Sequence, residues 1–157
     1  MLLVMKNAIL DIGSQFHIGI VAADFEATMA TLTAVLGHEW GPEVGGPVSV
    51  ELPGGRTADL ELRCAYSTTA PRLEVVRSVA GTLWEPAGDG GVHHIGYWSD
   101  DVAADTAELV RHGYVTEATR PGAQGGLFFA FLRSATGFRV ELVDRAAEPS
   151  MAQCWAG

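Results

Sequence analysis

Two histidines and two glutamates stand out in this chain, because each sits in an apolar, strand-like run and each has a twin. His17 lies in Phe16-His17-Ile18-Gly19-Ile20 and His94 in His93-His94-Ile95-Gly96-Tyr97. Glu74 lies in Arg72-Leu73-Glu74-Val75-Val76 and Glu141 in Arg139-Val140-Glu141-Leu142-Val143. Taken singly, such a histidine reads as a hydrogen-bonded core residue, and such a glutamate as an outward-facing residue on a half-exposed sheet. A carboxylate drawn inside an apolar strand costs several kcal/mol unless it is paired or binds a cation. Two matched pairs therefore point to one site, in which two imidazoles and two carboxylates hold a divalent cation. The donor set leaves zinc, nickel, cobalt, manganese and iron open.

The elements that must position these four residues repeat as well. Residues 15–21 read as a strand with Phe16, Ile18 and Ile20 on one face and His17, Gly19 and Val21 on the other. Asp24 then caps a helix carrying the stripe Phe25, Met29, Leu32 and Leu36, and Gly37 stops it. Gly/Pro punctuation at Gly41-Pro42, Gly45-Gly46-Pro47 and Pro53-Gly54-Gly55 separates extended runs at 48–52, 57–66 and 73–76. A connector at 80–91, rich in Gly, Pro, Ala and acid and carrying Trp84, precedes a restart of the pattern.

The second copy opens with a strand at 92–98. Asp100 or Asp101 caps a helix with Val102, Thr106, Leu109 and Val110, which ends at Gly113. A Gly-rich loop at 121–126, an apolar run at 127–132, a Thr136-Gly137 turn and a closing strand at 138–144 complete it. The expectation is an α+β fold: two tandem βαβββ modules, approximately 15–79 and 92–145, joined by the connector and making one domain over 1–157.

Composition bounds the function. At 157 residues, with 48% hydrophobic and 18% charged residues, the chain can bury a core without disulfides, and no apolar run approaches the roughly 20 residues of a membrane span. Residues 1–10 carry Lys6 and meet Asp11 without a small-residue cleavage pattern, so the chain reads as cytoplasmic rather than secreted. Cys64 and Cys154 read as free thiols. A formal charge of −9 repels phosphate backbones and argues against nucleic acid. Arg56, Arg63, Arg72 and Arg77 cluster in sequence and suit an anionic small molecule or, more plainly, solvated strand edges.

Across residues 15 to 145, His-Ile-Gly at 17–19, Leu-Glu at 73–74, His-His-Ile-Gly at 93–96 and Val-Glu-Leu-Val at 140–143 occur in this order. In these motifs the chain resembles the vicinal oxygen chelate superfamily of glyoxalases, methylmalonyl-CoA epimerases, ring-cleaving dioxygenases and bleomycin-resistance proteins. The resemblance implies His17, Glu74, His94 and Glu141 as metal ligands, with His94 rather than His93 equivalent to His17 and His93 facing away. It also implies a glyoxalase-like fold, in which the two modules form curved mixed sheets around a metal-binding cleft, and chemistry on a small-molecule substrate. Two imidazoles and two carboxylates leave room for two substrate oxygens, and the ion acts as a Lewis acid when a proton leaves the carbon beside a carbonyl.

The expected function is thus a glyoxalase-type isomerase, epimerase or lyase acting on an α-carbonyl compound, acyl thioesters included. Glu141 or Glu74 serves as the base by loosening from the metal. Glu51 is a separate candidate base, read more simply as a strand-surface residue, and Glu43 matches no motif. An iron-dependent dioxygenase needs fewer ligands, and a non-enzymatic antibiotic-binding protein needs none. Aromatic residues, including Phe128, Phe129 and Phe131, suit a pocket lining, and Trp98, sharing the face of His94, narrows it. A homodimer is expected, because paired curved sheets leave edges to cover.

Overall fold

A computed structural model of the protein describes residues 8–156, so Lys6 and most of the N-terminal stretch read above as non-secretory lie outside the described residues. The first copy runs β1 (Gln15–Ala22), α1 (Phe25–Leu36), β2 (Val44–Leu52), β3 (Arg56–Tyr66) and β4 (Leu73–Arg77). The second runs β5 (His94–Ser99), α2 (Val102–Arg111), β6 (Val115–Pro121), β7 (Leu127–Arg133) and β8 (Arg139–Asp144), followed by a one-turn helix α3 (Glu148–Met151). The caps are where the sequence puts them: the Asp24 and Asp101 side chains accept from the backbone N–H of Ala27 and Ala104, each at 3.0 Å. Gly37, with φ 75°, turns the chain out of α1 in the left-handed conformation open to glycine.

The eight strands close into one barrel in the order β1-β4-β3-β2-β6-β7-β8-β5. Within each copy the first strand runs parallel to the last, β1 with β4 and β5 with β8. The copies meet antiparallel at two seams: β1 with β5, paired from Gln15 to Gly19, and β2 with β6, paired at Glu51 and Thr119. The barrel closes within a single chain, so the open sheet edges on which the homodimer expectation rested are absent among the described residues.

Three apolar clusters hold this arrangement. Val21, Val50, Val76, Ala118, Phe129 and Phe131 fill one part of the barrel interior, together with Trp84, which the connector inserts edge-on to the Phe129 and Phe131 rings. Helix α1 covers Val75 and Ala65 with Phe25, Met29 and Leu32. Helix α2 covers Ala130, Leu132, Val140 and Leu142 with Val102 and Leu109. Strands β4, β7 and β8 are thus buried on both faces, one turned into the barrel and one under a helix, which explains their nearly continuous apolar runs.

Several expectations about the elements change. Leu36, placed on the apolar stripe of α1, is the last residue of the helix and is 64% exposed. Val92 is exposed and precedes the strand, which starts at His94. Gly45 and Gly46 lie inside β2 rather than in a turn. At Gly45 a Cβ would sit 2.0 Å from the Leu62 carbonyl oxygen of β3, so close strand approach, not a reversal, requires the glycine. Strand β6 was not located from the sequence, since its core-facing residue is the small Ala118 among polar neighbours.

Candidate metal centre

The register of the β1/β5 seam builds the site. His17 pairs with Gly96 and Gly19 with His94 across it, while on the outer sides Gly19 pairs with Glu74 of β4 and Gly96 with Glu141 of β8. Each copy of His-Ile-Gly therefore supplies one imidazole and, two residues on, the floor for the other copy's imidazole. A Cβ at Gly19 would lie 2.0 Å from His94 Cε1, and one at Gly96 would lie 2.0 Å from His17 Cε1. This is the physical reason for the glycine in the motif. Glycine removes the side chain that would occupy the space of the ring opposite.

His17, Glu74, His94 and Glu141 converge in the barrel interior, with relative exposures of 2%, 6%, 1% and 8%, and their ligand atoms lie within 4.8 Å of one another. The two imidazole Nε2 atoms are 3.1 Å apart. Glu74 Oε1 is 3.1 Å from His94 Nε2 and 3.6 Å from His17 Nε2, and Glu141 Oε2 is 3.1 Å from His17 Nε2 and 3.3 Å from His94 Nε2. Metal bonds of about 2.1 Å set neighbouring donor atoms roughly 3.0 to 3.4 Å apart. Glu141 Oε2 is buried without a hydrogen-bond partner despite both imidazoles beside it. Two Nε2 atoms facing each other and an unpartnered carboxylate oxygen satisfy one another poorly, and a cation between them satisfies all four. The residues fit a divalent ion.

The electrostatics agree. Burial works against ionisation of Glu74, but the charge of His17 and the hydrogen bond to His94 outweigh it and hold the carboxyl at about 2. Burial opposes ionisation of Glu141 too, and its two histidine neighbours again lower it. For His94, burial is overcome by Glu141 and Glu74, which raise it to about 9. Without a metal the cluster is thus a buried ion pair that releases a proton from His94 when a cation takes its place.

The twins differ behind the site. His93 lies outside the cluster, as its register predicts, yet it is buried; its Nδ1 stands 2.9 Å from His94 Nδ1 and its Nε2 2.7 Å from the Leu83 carbonyl oxygen. It fixes the orientation of the His94 ring. Burial drives its own titration down to about 4, so it stays neutral at neutral pH. His17 Nδ1 has no hydrogen-bond partner, and its ring is held by packing between Phe16 and Tyr66, with centroids at 4.5 and 5.8 Å.

Two carboxylates considered as separate bases lie elsewhere. Glu51 is exposed on the outer face of β2, and Glu43 hydrogen-bonds Arg77 at 2.6 and 3.2 Å, which also binds Glu26. Arg63 pairs with Glu61, and Arg72 lies over the Trp155 ring, so three of the four clustered arginines have partners within the fold, and Arg56 reaches the Pro53 carbonyl oxygen.

Residues that sequence reasoning did not single out reach the centre. Tyr66 is opposite Glu74 in the β3/β4 register. Burial first, and then the charge of Glu74, push its phenol well above the usual range, so it stands beside the carboxylate as a neutral O–H. The alternation within 57–66 puts Cys64 on the same face, and burial and Glu74 push its thiol up likewise. Glu74 and Glu141 open onto a cavity of about 270 Å³ walled by Trp84, Phe128, Phe129 and Phe131. Trp98 does not narrow this cavity. It stacks on Phe16 at 3.7 Å toward the other side, where a larger depression reaches His17 but neither carboxylate.

Comparisons with known proteins fall in line with this geometry. Residues 16–131 match the model of the glyoxalase/bleomycin resistance protein/dioxygenase superfamily. Among solved structures, a variant of Streptomyces coelicolor methylmalonyl-CoA epimerase in complex with 2-nitronate-propionyl-CoA is 25% identical, with a TM-score of 0.57 over 85% of this chain and 98% of that one. The methylmalonyl-CoA epimerase of Mycobacterium tuberculosis shares the fold at 17% identity, with a TM-score of 0.56 over 94% of this chain and 97% of that one. A 4-hydroxymandelate synthase variant of Streptomyces coelicolor shares it at 20% identity and a TM-score of 0.50, over 83% of this chain and 38% of that one. No curated protein matches in sequence.

Proposed function

Because the chain belongs to the glyoxalase/bleomycin resistance protein/dioxygenase superfamily, we propose that it is a divalent-metal-dependent epimerase or isomerase, or a lyase of the same chemistry, acting at the carbon beside a carbonyl. His17, Glu74, His94 and Glu141 are the metal ligands in this reading. The observation that carries it is the meeting of four buried donor side chains, two from each copy, within 4.8 Å. A divalent cation held there supplies Lewis acidity that draws electron density from a carbonyl oxygen and so acidifies the adjacent C–H.

The chain's own groups do the rest. Glu74 and Glu141 are the carboxylates that face the cavity, so either can take the α-proton if it turns from the centre toward the substrate. Tyr66, neutral beside Glu74, is placed to return a proton or to hold that carboxylate in position. The aromatic walls exclude water, which strengthens every polar interaction at the reacting carbon. His93, held by Leu83, keeps the His94 ring turned toward the centre. Glu51 and Glu43 take no part.

Metal analysis of protein purified without chelator, followed by titration of manganese, cobalt, nickel, zinc and ferrous iron into stripped protein, tests the first half of this reading. Tight binding of one equivalent is expected; binding below about a tenth of an equivalent overturns it. Deuterium uptake at the α-carbon of carbonyl compounds, methylmalonyl-CoA and simpler acyl thioesters among them, tests the second half. Metal-dependent exchange supports proton abstraction. Oxygen consumption without exchange transfers the site to dioxygenase chemistry.

A further inference from the structure

Among the described residues, one cation faces the cavity of Glu74 and Glu141 with neither a carboxylate nor a hydrogen-bond acceptor beside it. Strand β6 points Ala118 into the barrel core, and Arg120, two residues on and paired in register with Phe129, lines the same cavity as Glu74 and Glu141. Among the described residues the Arg120 guanidinium has neither a carboxylate nor a hydrogen-bond acceptor; its contact is the ring of Phe128, 4.9 Å away. The other arginine of this cavity, and those that line the other depressions of the surface, all have partners. Arg63 pairs with Glu61, Arg77 with Glu26 and Glu43, and Arg145 with Asp100, while Arg72 and Arg56 donate to the carbonyl oxygens of Ser67 and Pro53. In a chain with 19 acidic residues against 10 basic ones, a half-buried guanidinium that finds no carboxylate stands out.

We propose that Arg120 anchors a carboxylate at one end of a compact, apolar-bodied carbonyl substrate whose carbonyl end meets the His17, Glu74, His94 and Glu141 cluster. This deepens the reading above and rests on it. The cavity joins three chemistries: the cluster, a wall of Trp84, Phe128, Phe129 and Phe131, and one fork of N–H donors. An aryl or branched alkyl body stacks on the wall, and a carboxylate takes the fork as a bidentate partner. A single guanidinium matches one monoanion. The other arginine of the cavity is already neutralised by Glu61, so a carrier bearing several phosphates finds too little positive charge here.

The probes are 3-benzoylpropanoate and 4-benzoylbutanoate, aromatic ketones ending in a carboxylate, with their neutral primary amides and the phosphonate analogues. Binding is measured by calorimetry on metal-loaded protein, and deuterium uptake at the methylene beside the ketone by NMR. Wild type is expected to bind at least one acid tenfold or more tighter than its amide. R120Q should erase that preference by weakening the acid alone, and R120K should keep part of it. R133Q, at an exposed strand end, should change nothing.

Metal stoichiometry and thermal unfolding of R120Q establish that it is folded and loaded. Persistence of the acid-over-amide preference in R120Q overturns the proposal, as does equal loss of acid and amide, tenfold preference for the phosphonate, or no binding of any probe by loaded wild type. If the anchor fails while wild type still binds metal and exchanges other α-carbonyl compounds, the functional reading survives without it. If wild type takes up no metal, that reading has failed first.

Discussion

The reciprocal seating of each histidine on the other copy's glycine makes G96A a severe test of the site, although it removes no ligand. The new methyl would lie 2.0 Å from His17 Cε1, 2.3 Å from Nδ1 and 2.6 Å from Nε2. Non-bonded carbons rest at about 3.5 Å or more, so the ring must shift by roughly 1.5 Å. His17 is 2% exposed and packed against Phe16, Tyr66 and His94, so the shift carries it off the centre rather than along a free rotamer. Metal sites tolerate distance errors of about 0.2 Å.

A hundredfold or greater loss of metal affinity is therefore expected by calorimetry. Replacing a strand glycine with alanine ordinarily stabilises by about 0.5 to 1 kcal/mol, whereas overpacking a core costs about 1 to 3 kcal/mol. Stripped G96A should accordingly be less stable than wild type in urea, by about 1 to 2 kcal/mol. Adding H17A removes the ring that the methyl strikes. The double variant should be at least as stable as H17A alone, a non-additivity of comparable size. Wild-type metal affinity in G96A, or additive effects in the cycle, would show that the interlock does not govern the site.

Three further outcomes are expected. Glu141→Gln should abolish tight metal binding while Glu51→Gln, on the outer face of β2, leaves it intact; equal losses in both would contradict the ligand assignment. His93→Leu should retain one metal per chain with roughly 10- to 100-fold lower affinity, because the His94 ring loses its Nδ1 partner; unchanged affinity would make His93 a packing residue only. For stripped protein, His94 is raised from 6.5 to about 9, so its contribution is complete below pH 6.5 and is lost as the pH rises through 9. Urea unfolding should show a fall of about 3 kcal/mol over that interval, with His93 silent because it titrates near 4, while metal affinity climbs over the same range; a flat stability profile would refute the ion-paired state.

Much of the site could be read before its geometry. Strand alternation put His17, Gly19 and Val21 on one face and singled out Glu74 and Glu141, because short-range periodicity needs no knowledge of partners. What alternation could not supply was which strands are neighbours. Tyr66 beside Glu74 follows from the β3/β4 register, and the role of Gly19 and Gly96 from the β1/β5 seam; both are properties of pairs distant in sequence. Trp84 sits in a connector whose composition signals a loop, yet its ring fills the barrel. Strand β6 escaped because a closed barrel asks only a small Ala118 of it there, and with it went Arg120, whose direction is set by that strand. The homodimer argument assumed open sheets, and closure in the chain removes its premise.

That each half of the site borrows from the other copy also limits when a cation could bind during folding. His17 is near the start of the chain and Glu141 near its end, and the donor set is incomplete until β8 has docked beside β5 and β5 beside β1. Contacts this far apart in sequence form after slow loop closure. A metal cannot template the first module as it emerges, since that module offers only His17 and Glu74. Stabilisation gained so late belongs to the native state rather than to the transition state, so an added cation should leave the folding rate nearly unchanged and lengthen the lifetime of the folded protein.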